Sequence, residues 1–513
     1  MLVFIGEDTV PKGPSRKPAQ EPTTPFFSVW GPQFRSAPHP NPQNRVWSAT
    51  VEILIVTPEI APYSGRTELG ALAAALPKGL RGLEHHVVAL SPLYGCVDPG
   101  AHSLARRLTT LEITLDGETQ ACVLYDGRTT GGIDLLFIGH PGFSEQPDDL
   151  DSPATRRTAL ILSQAAAALA PQLEPRPEVV HAFGFQAALS LPLIAQELSE
   201  RPPATILSPY ALTEQGQFDH QELLDTRPAP AALAALDATP AGNLLGTGLR
   251  TADRVVMGSQ AGCTLLLDSD VSRPLQPLLA ERPQRVTHVH AGLDSAYWNP
   301  LTDSHLTARY DAADTSGKTQ CRSALQYELG LPARHDVPLF GVVGTELLPE
   351  ELAALTTFLH NDAQVILALA APVAPPLKEL QEREPTKVQI LAQEDPGALH
   401  RLVSGTDILW LPEATPRGSL WHLRALRYGA IPIASQSGPA AEVLVDCDAQ
   451  LVTGNGFLHS DRAALLPTLQ RAAFASTLGE EFERLRRRAM RTDVSWERAA
   501  RRFEHLYRQV MSH

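Results

Sequence analysis

The chain has 513 residues, 43% hydrophobic and 19% charged, enough apolar material for two ordinary globular cores. Its 43 basic and 57 acidic residues leave a net charge of −14, a field that repels nucleic acid and anionic membrane, so neither is expected as a partner. No apolar run reaches spanning length and the start lacks a secretory pattern, so a cytoplasmic protein is expected.

The five cysteines (Cys96, Cys122, Cys263, Cys321, Cys447) are widely spaced without a C-x-x-C pair, and read as reduced thiols. His85-His86 precede a strand and have no third ligand at metal spacing. No metal and no cofactor are expected. There are only six lysines, a coding bias that matters below.

Residues 1–48 are dense in Pro, Ser, Asn and Gln and show no period, the composition of a disordered extension or of a misplaced start codon. Phe26, Phe27 and Trp30 within it are isolated aromatics of the kind such tails carry; a short docking motif is the alternative.

From Val51 onward, short β-branched runs alternate with Ala/Leu-rich helical stretches, the pattern of parallel sheets covered on both faces. Strands are predicted at 52–57, 86–90, 135–138, 179–182, 205–208, 254–258 and 286–290, with helices at 69–80 and 154–169 between them. After "AGLDSAYWNP" a polar connection leads to a second series at 338–343, 364–369, 387–391, 408–411, 431–435 and 450–453. The expected architecture is α/β, two doubly wound Rossmann-like domains facing across a cleft. Their bounds are 49–295 and 296–485, with an amphipathic helix in 486–513 ("SWERAARRFEHLYRQV") packing back on the body. Ligands of such sheets bind beyond the carboxyl ends of the strands.

Several segments carry a resemblance: "VTPEIAPYS", "LGALAAALPKGL", "SPLYGCVD", "AGLDSAYWNP", "HRLVSGTDILWLP", "LRALRYGAIPI" and "TDVSWERAARRFEHLY". In order and spacing, from about Val51 to Tyr507, the chain resembles the glycogen and starch synthases, which extend α-1,4-glucan from ADP-glucose. The resemblance implies a GT-B fold, with nucleotide-sugar bound mainly by the second domain and glucan reaching in along the first. It also implies α-glucan and ADP-glucose as ligands, and a complex with other proteins of glycogen metabolism as a further expectation.

The family's active-site motifs are not kept. Its K-T-G-G-L-G falls on Gly65, Arg66, Thr67, Glu68, Leu69 and Gly70, with Gly65 in place of the lysine. Its H-D-W-H falls in His181-Ala182-Phe183-Gly184-Phe185-Gln186, with Gln186 in place of the second histidine, and His181 is itself matched in the family. The Arg and Lys that clamp the leaving phosphate fall on Thr345 and Glu350, and the glutamate that faces the sugar falls on Thr415. Its T-G-G-L becomes Ser437-Gly438-Pro439-Ala440, where proline removes one N–H donor.

Cleavage of a sugar–diphosphate bond without a metal relies on cations and helix N-termini for the departing charge. Losing one such donor typically costs ~10²–10³ in rate. Glu350 reverses a sign: unit charges about 4 Å apart interact by roughly 4 kcal/mol at an effective dielectric near 20. Lysine scarcity does not explain it, since arginine was the available replacement.

The expectation is therefore a synthase-like protein with lost or very weak transfer and a remaining glucan- or partner-binding role. The alternative is an active transferase with a clamp rebuilt on Arg66 and Arg417, which otherwise read as solvated arginines. Glu59, Tyr63 and Gly70 keep the frame of the first loop, by substrate contact or by capping and packing. His181 is either a sugar contact or a histidine satisfied at a strand end. Ser437 and Gly438 are the remaining cleft candidates, and Gly292 and Asp294 form a tight turn at the domain crossover.

Overall fold

The computed structural model describes residues 50–512 apart from Arg66, Thr130, 210–214, 238–241, 269–272, 393–394 and 416–418. The expected extension, 1–48, lies outside the described residues.

Two sheets organise the chain. The first holds β1 (Glu52–Val56), β2 (His86–Pro92), β3 (Ala105–Leu115), β4 (Glu118–Arg128), β5 (Asp134–Gly139), β6 (Val179–Phe183), β7 (Ala204–Ser208), β8 (Arg254–Met257) and β9 (Val286–His288). Their spatial order is β3-β4-β5-β2-β1-β6-β7-β8-β9. The second holds β10 (Leu339–Gly344), β11 (Gln364–Leu369), β12 (Val388–Ile390), β13 (Ile408–Trp410), β14 (Ile431–Ser435) and β15 (Phe457–His459), ordered β12-β11-β10-β13-β14-β15. The second sheet is parallel throughout; in the first, only the β3–β4–β5 pairings are antiparallel.

Period-two burial on both faces explains the apolar strands. In β1, Ile53 and Ile55 enter the core facing the helices Glu68–Arg81 and Trp496–Met511, whereas Leu54 and Val56 enter the core beneath Pro153–Leu169. The second lobe has one large core of its own around Phe340, Trp410 and Tyr428. The order in which strands are added reverses between β1 and β6 in the first sheet, and between β10 and β13 in the second. Those are the two switch points where a doubly wound sheet opens a crevice.

Three expectations need correction. The β3–β4 hairpin was not predicted; its signal was Asp116-Gly117, both at positive φ (58° and 77°), between the alternating Leu111, Ile113 and Leu115 and the return strand. The predicted strand 450–453 is a turn, because Asp448 accepts from the amides of Gln450, Val452 and Thr453; the sheet is completed instead by β15. The break at 485/486 falls inside the helix Glu480–Met490, which packs on Trp421–Tyr428 of the second lobe.

The chain crosses between lobes twice, side by side. Leu293 N–H donates to Val494 O at 2.7 Å, and a Cβ on Gly292 would lie 2.5 Å from Ser495 O. The last helix then returns to the first lobe, burying Trp496, Phe503, Leu506, Tyr507 and Val510. Each large side chain contributes about 1.5–3 kcal/mol. Among the described residues no helix is long and apolar enough to cross a membrane.

Candidate active-site cleft

β1 runs into the loop that opens the first switch point. Glu59 is buried there: its Oε1 accepts from Gly70 N–H at 3.0 Å and from the Thr67 hydroxyl, and its Oε2 from Gln146 Nε2 at 3.1 Å. Thr67 caps the helix Glu68–Arg81 through Leu69 N–H at 3.1 Å. Tyr63 packs edge-on to His102 and tilted on Phe137, and burial raises its pKa. Gly65 and Gly70 are both crowded: a Cβ on Gly70 would lie 2.6 Å from Gly65 Cα, and one on Gly65 would lie 2.9 Å from Ala61 Cβ. Glu59, Tyr63 and Gly70 thus form the loop's internal frame.

The second switch point is a cavity of about 340 Å³ bounded by Leu411–Thr415, Ser435, Ser437, His422 and Arg462. At its rim the β10 loop carries Thr345, half-buried, and Glu350, exposed. Glu351, next to it, is buried and closes the loop by accepting from Leu348 N–H (2.9 Å) and Glu413 N–H (2.8 Å). Burial raises the Glu351 pKa against these bonds. Thr415 Oγ1 donates to Val343 O at 3.2 Å, which ties it to the carboxyl end of the central strand β10. Arg462 pairs with Glu413 at 2.9 Å and with Glu350 at 3.6 Å.

One ion pair joins the two switch points. Arg424, on the helix Trp421–Tyr428, lies between the rings of Trp298 and Trp421, 4.4 and 4.3 Å from their centroids. Its Nη2 donates to Oε1 of Glu68, the first residue of the helix after β1. Both side chains are largely buried, and Glu68 Oε2 and Arg424 Nε have no further partner among the described residues.

Comparison with known proteins places this geometry. The family model for the starch synthase catalytic domain matches residues 52–281. Glycogen synthase from Anaeromyxobacter sp. (strain Fw109-5) is 32% identical over 485 residues, covering 90% of this chain and 99% of that one. The chain belongs to the glycogen synthase family. Glycogen synthase 2 of Geobacter sulfurreducens is 27% identical over 484 residues, covering 90% of this chain and 99% of its own length. The catalytic domain of starch synthase IV from Arabidopsis thaliana, solved with ADP and acarbose, superposes with a TM-score of 0.77 at 24% identity, covering 91% of this chain and all of that one. Sucrose-phosphate synthase from Thermosynechococcus elongatus superposes at 0.53 with 15% identity, covering 90% and 100%. The fold is GT-B, and the chain is glycogen- and starch-synthase-like, of the glycosyltransferase class that builds glucan.

Within this glycogen synthase frame some expected cleft residues fall elsewhere. His181 is fully buried in the first lobe, with Nδ1 2.8 Å from Tyr507 OH and Nε2 2.8 Å from Ser208 Oγ, stacked on Phe183. Burial lowers its pKa to about 3 and keeps it neutral. In this structure it sits in the core with both ring nitrogens bonded. The amide of Gly438 is committed to Ser435 O at 3.1 Å, and Ser437 bonds Ser435 through its hydroxyl, so this turn offers less to an anion than its sequence suggests. Gln186 is buried in the short turn Phe185–Ala187 after β6. Arg66 and Arg417 lie outside the described residues.

The pairing of Glu350 also moderates the repulsion expected from it: the side chain is exposed and has Arg462 beside it, so water and that cation screen most of its field. Arg424, Arg462 and His422 are the cleft residues that sequence reasoning missed. His422 is buried, and desolvation, aided by His290 and Arg424, lowers its pKa to about 3. The available signal for Arg424 was an arginine three residues from Trp421, in a helix where Leu423, Ala425 and Leu426 around it are buried.

Proposed function

We propose that this member of the glycogen synthase family has lost most or all glucosyl transfer, and acts by binding α-glucan or a protein of glycogen metabolism. The observation that carries the reading is the Glu68–Arg424 pair. Glu68 stands on a glycine of the motif that meets the donor diphosphate in the family. Its carboxylate is held by a second-lobe guanidinium, so a negative group built into the chain occupies the approach between the switch points. A departing diphosphate there meets that carboxylate with Thr345 and Glu350 in place of two cations, and the transition state loses its preorganised stabilisation. The acceptor side, built from the first lobe, keeps the frame of its loop.

The deciding experiment is transfer of radiolabelled glucose from ADP-glucose to glycogen primer, beside calorimetric titration with ADP, ADP-glucose and a maltooligosaccharide. No turnover and no nucleotide binding, with glucan bound, is the expected result; sustained turnover by the unaltered chain overturns it. An active transferase with a rearranged clamp has one observation in its favour, Arg462 on the wall of the 340 Å³ cavity. On that reading ADP binds, and Arg462→Ala abolishes both binding and turnover.

A further inference from the structure

His288 ends β9, and His290 lies two residues further on in extended chain leading to the crossover. Residues two apart on extended chain project to one side, so both imidazoles face the same way. Opposite them stands Glu442, at the end of the short helix Pro439–Glu442 in the second lobe. One ligating atom from each of the three lies within 4.8 Å of the other two.

We propose that His288, His290 and Glu442 form a binding site for a divalent transition metal of the zinc class, and that the metal ties the second lobe's Ser437–Glu442 loop to the crossover strand of the first. The reading is independent of whether transfer persists.

Four features support it. Glu442 is oriented before any metal arrives, because its Oε1 accepts from Gln260 N–H (2.7 Å) and Ala261 N–H (3.2 Å), leaving Oε2 aimed at the histidines. Such fixing of a ligating carboxylate by outer partners is typical of metal centres. His290 Nε2 reaches Oε2 at 2.6 Å, a hydrogen bond that a cation about 2 Å from each atom would replace after a small opening. The His288 side chain makes no hydrogen bond among the described residues, and its ring lies edge-on to that of His290 with centroids 5.9 Å apart. Two imidazoles and one carboxylate suit zinc, cobalt or nickel, and suit the harder magnesium and calcium poorly.

The other comparable cluster, Asp303, His305 and His400, lacks this openness. There Asp303 is buried, bonded to both histidines and to Tyr428 OH at 2.6 Å, while His400 stacks on Trp298.

The test uses the full chain, purified without a histidine tag and stripped with chelator, then titrated with Co²⁺ and Zn²⁺. The unaltered protein should take up about one Co²⁺ per chain with a visible absorption band, which Zn²⁺ displaces. His288→Ala, His290→Ala and Glu442→Gln should each weaken Co²⁺ binding by at least ~10-fold, the low end of losses seen even for outer-shell changes. His288→Ala removes no hydrogen bond, so its circular dichroism and melting temperature in chelator should match the parent. Equal uptake with an unchanged band in all three variants overturns the proposal, as does uptake only at millimolar metal.

Discussion

Arg424 in the second lobe and Glu68 in the first form an ion pair across the cleft, with the guanidinium between two indole rings. Removing one partner of a largely buried pair strands the other charge, so Arg424→Met should destabilise the protein by roughly 3 kcal/mol or more. Arg424→Met combined with Glu68→Leu should recover most of that loss, because no charge is then left unpaired. Urea unfolding of the parent, both single variants and the double variant measures the coupling. Simple additivity of the single losses contradicts an energetic link between the lobes here.

Replacing Thr345→Arg together with Glu350→Lys should create nucleotide affinity where the parent has little. Glu350 is exposed and makes only a long contact to Arg462, so the unfolding midpoint should hardly move. The ADP dissociation constant should improve by at least about 10-fold, since two cations replace a neutral and an acidic side chain. Calorimetry with ADP reads this directly; unchanged binding means the β10 loop does not face the diphosphate.

Acid stability depends on two buried histidines. Burial is the main cause that lowers the pKa values of His181 and His422 to about 3, from an ordinary value of 6.5. The unfolded chain therefore binds protons that the folded one refuses, and stability is complete above pH 6.5 and falls as pH drops toward 3. Each histidine adds a slope of about 1.4 kcal/mol per pH unit in that window. His422→Leu should flatten the acid limb by one such increment in unfolding curves between pH 4 and 7. An unaltered limb means His422 titrates normally.

Gly292→Ala tests the crossover. The added Cβ would meet Ser495 O and the Trp496 backbone at 2.5 Å, and backbone cannot move aside as a flexible side chain can. A loss of about 1–3 kcal/mol is expected, with the two crossing segments pushed apart. A melting temperature equal to the parent's shows that the segments separate freely in solution.

How much of this was legible in the sequence differs between fold and site. Parallel strands such as β1 and β10 are buried on both faces and announce themselves as apolar runs. Strand β3 is exposed over its first six residues and offers little hydrophobic signal there, so it is absent from the predicted elements and only its turn carried a signal. The loop substitutions at Gly65, Thr345 and Glu350 could be read because a motif fixes their register. Arg424, Arg462 and His422 could not, since their roles come from partners far away in the chain: Glu68 is 356 residues from Arg424, and Glu413 is 49 from Arg462. His181 was ambiguous for the same reason, because its bond to Tyr507 spans 326 residues.

That last distance bears on synthesis. The helix that covers one face of the first sheet, Trp496–Met511, is encoded after the whole second sheet. While the chain is still emerging from the ribosome, Ile53, Ile55 and Leu76 lack their lid, and the half made first is the half finished last.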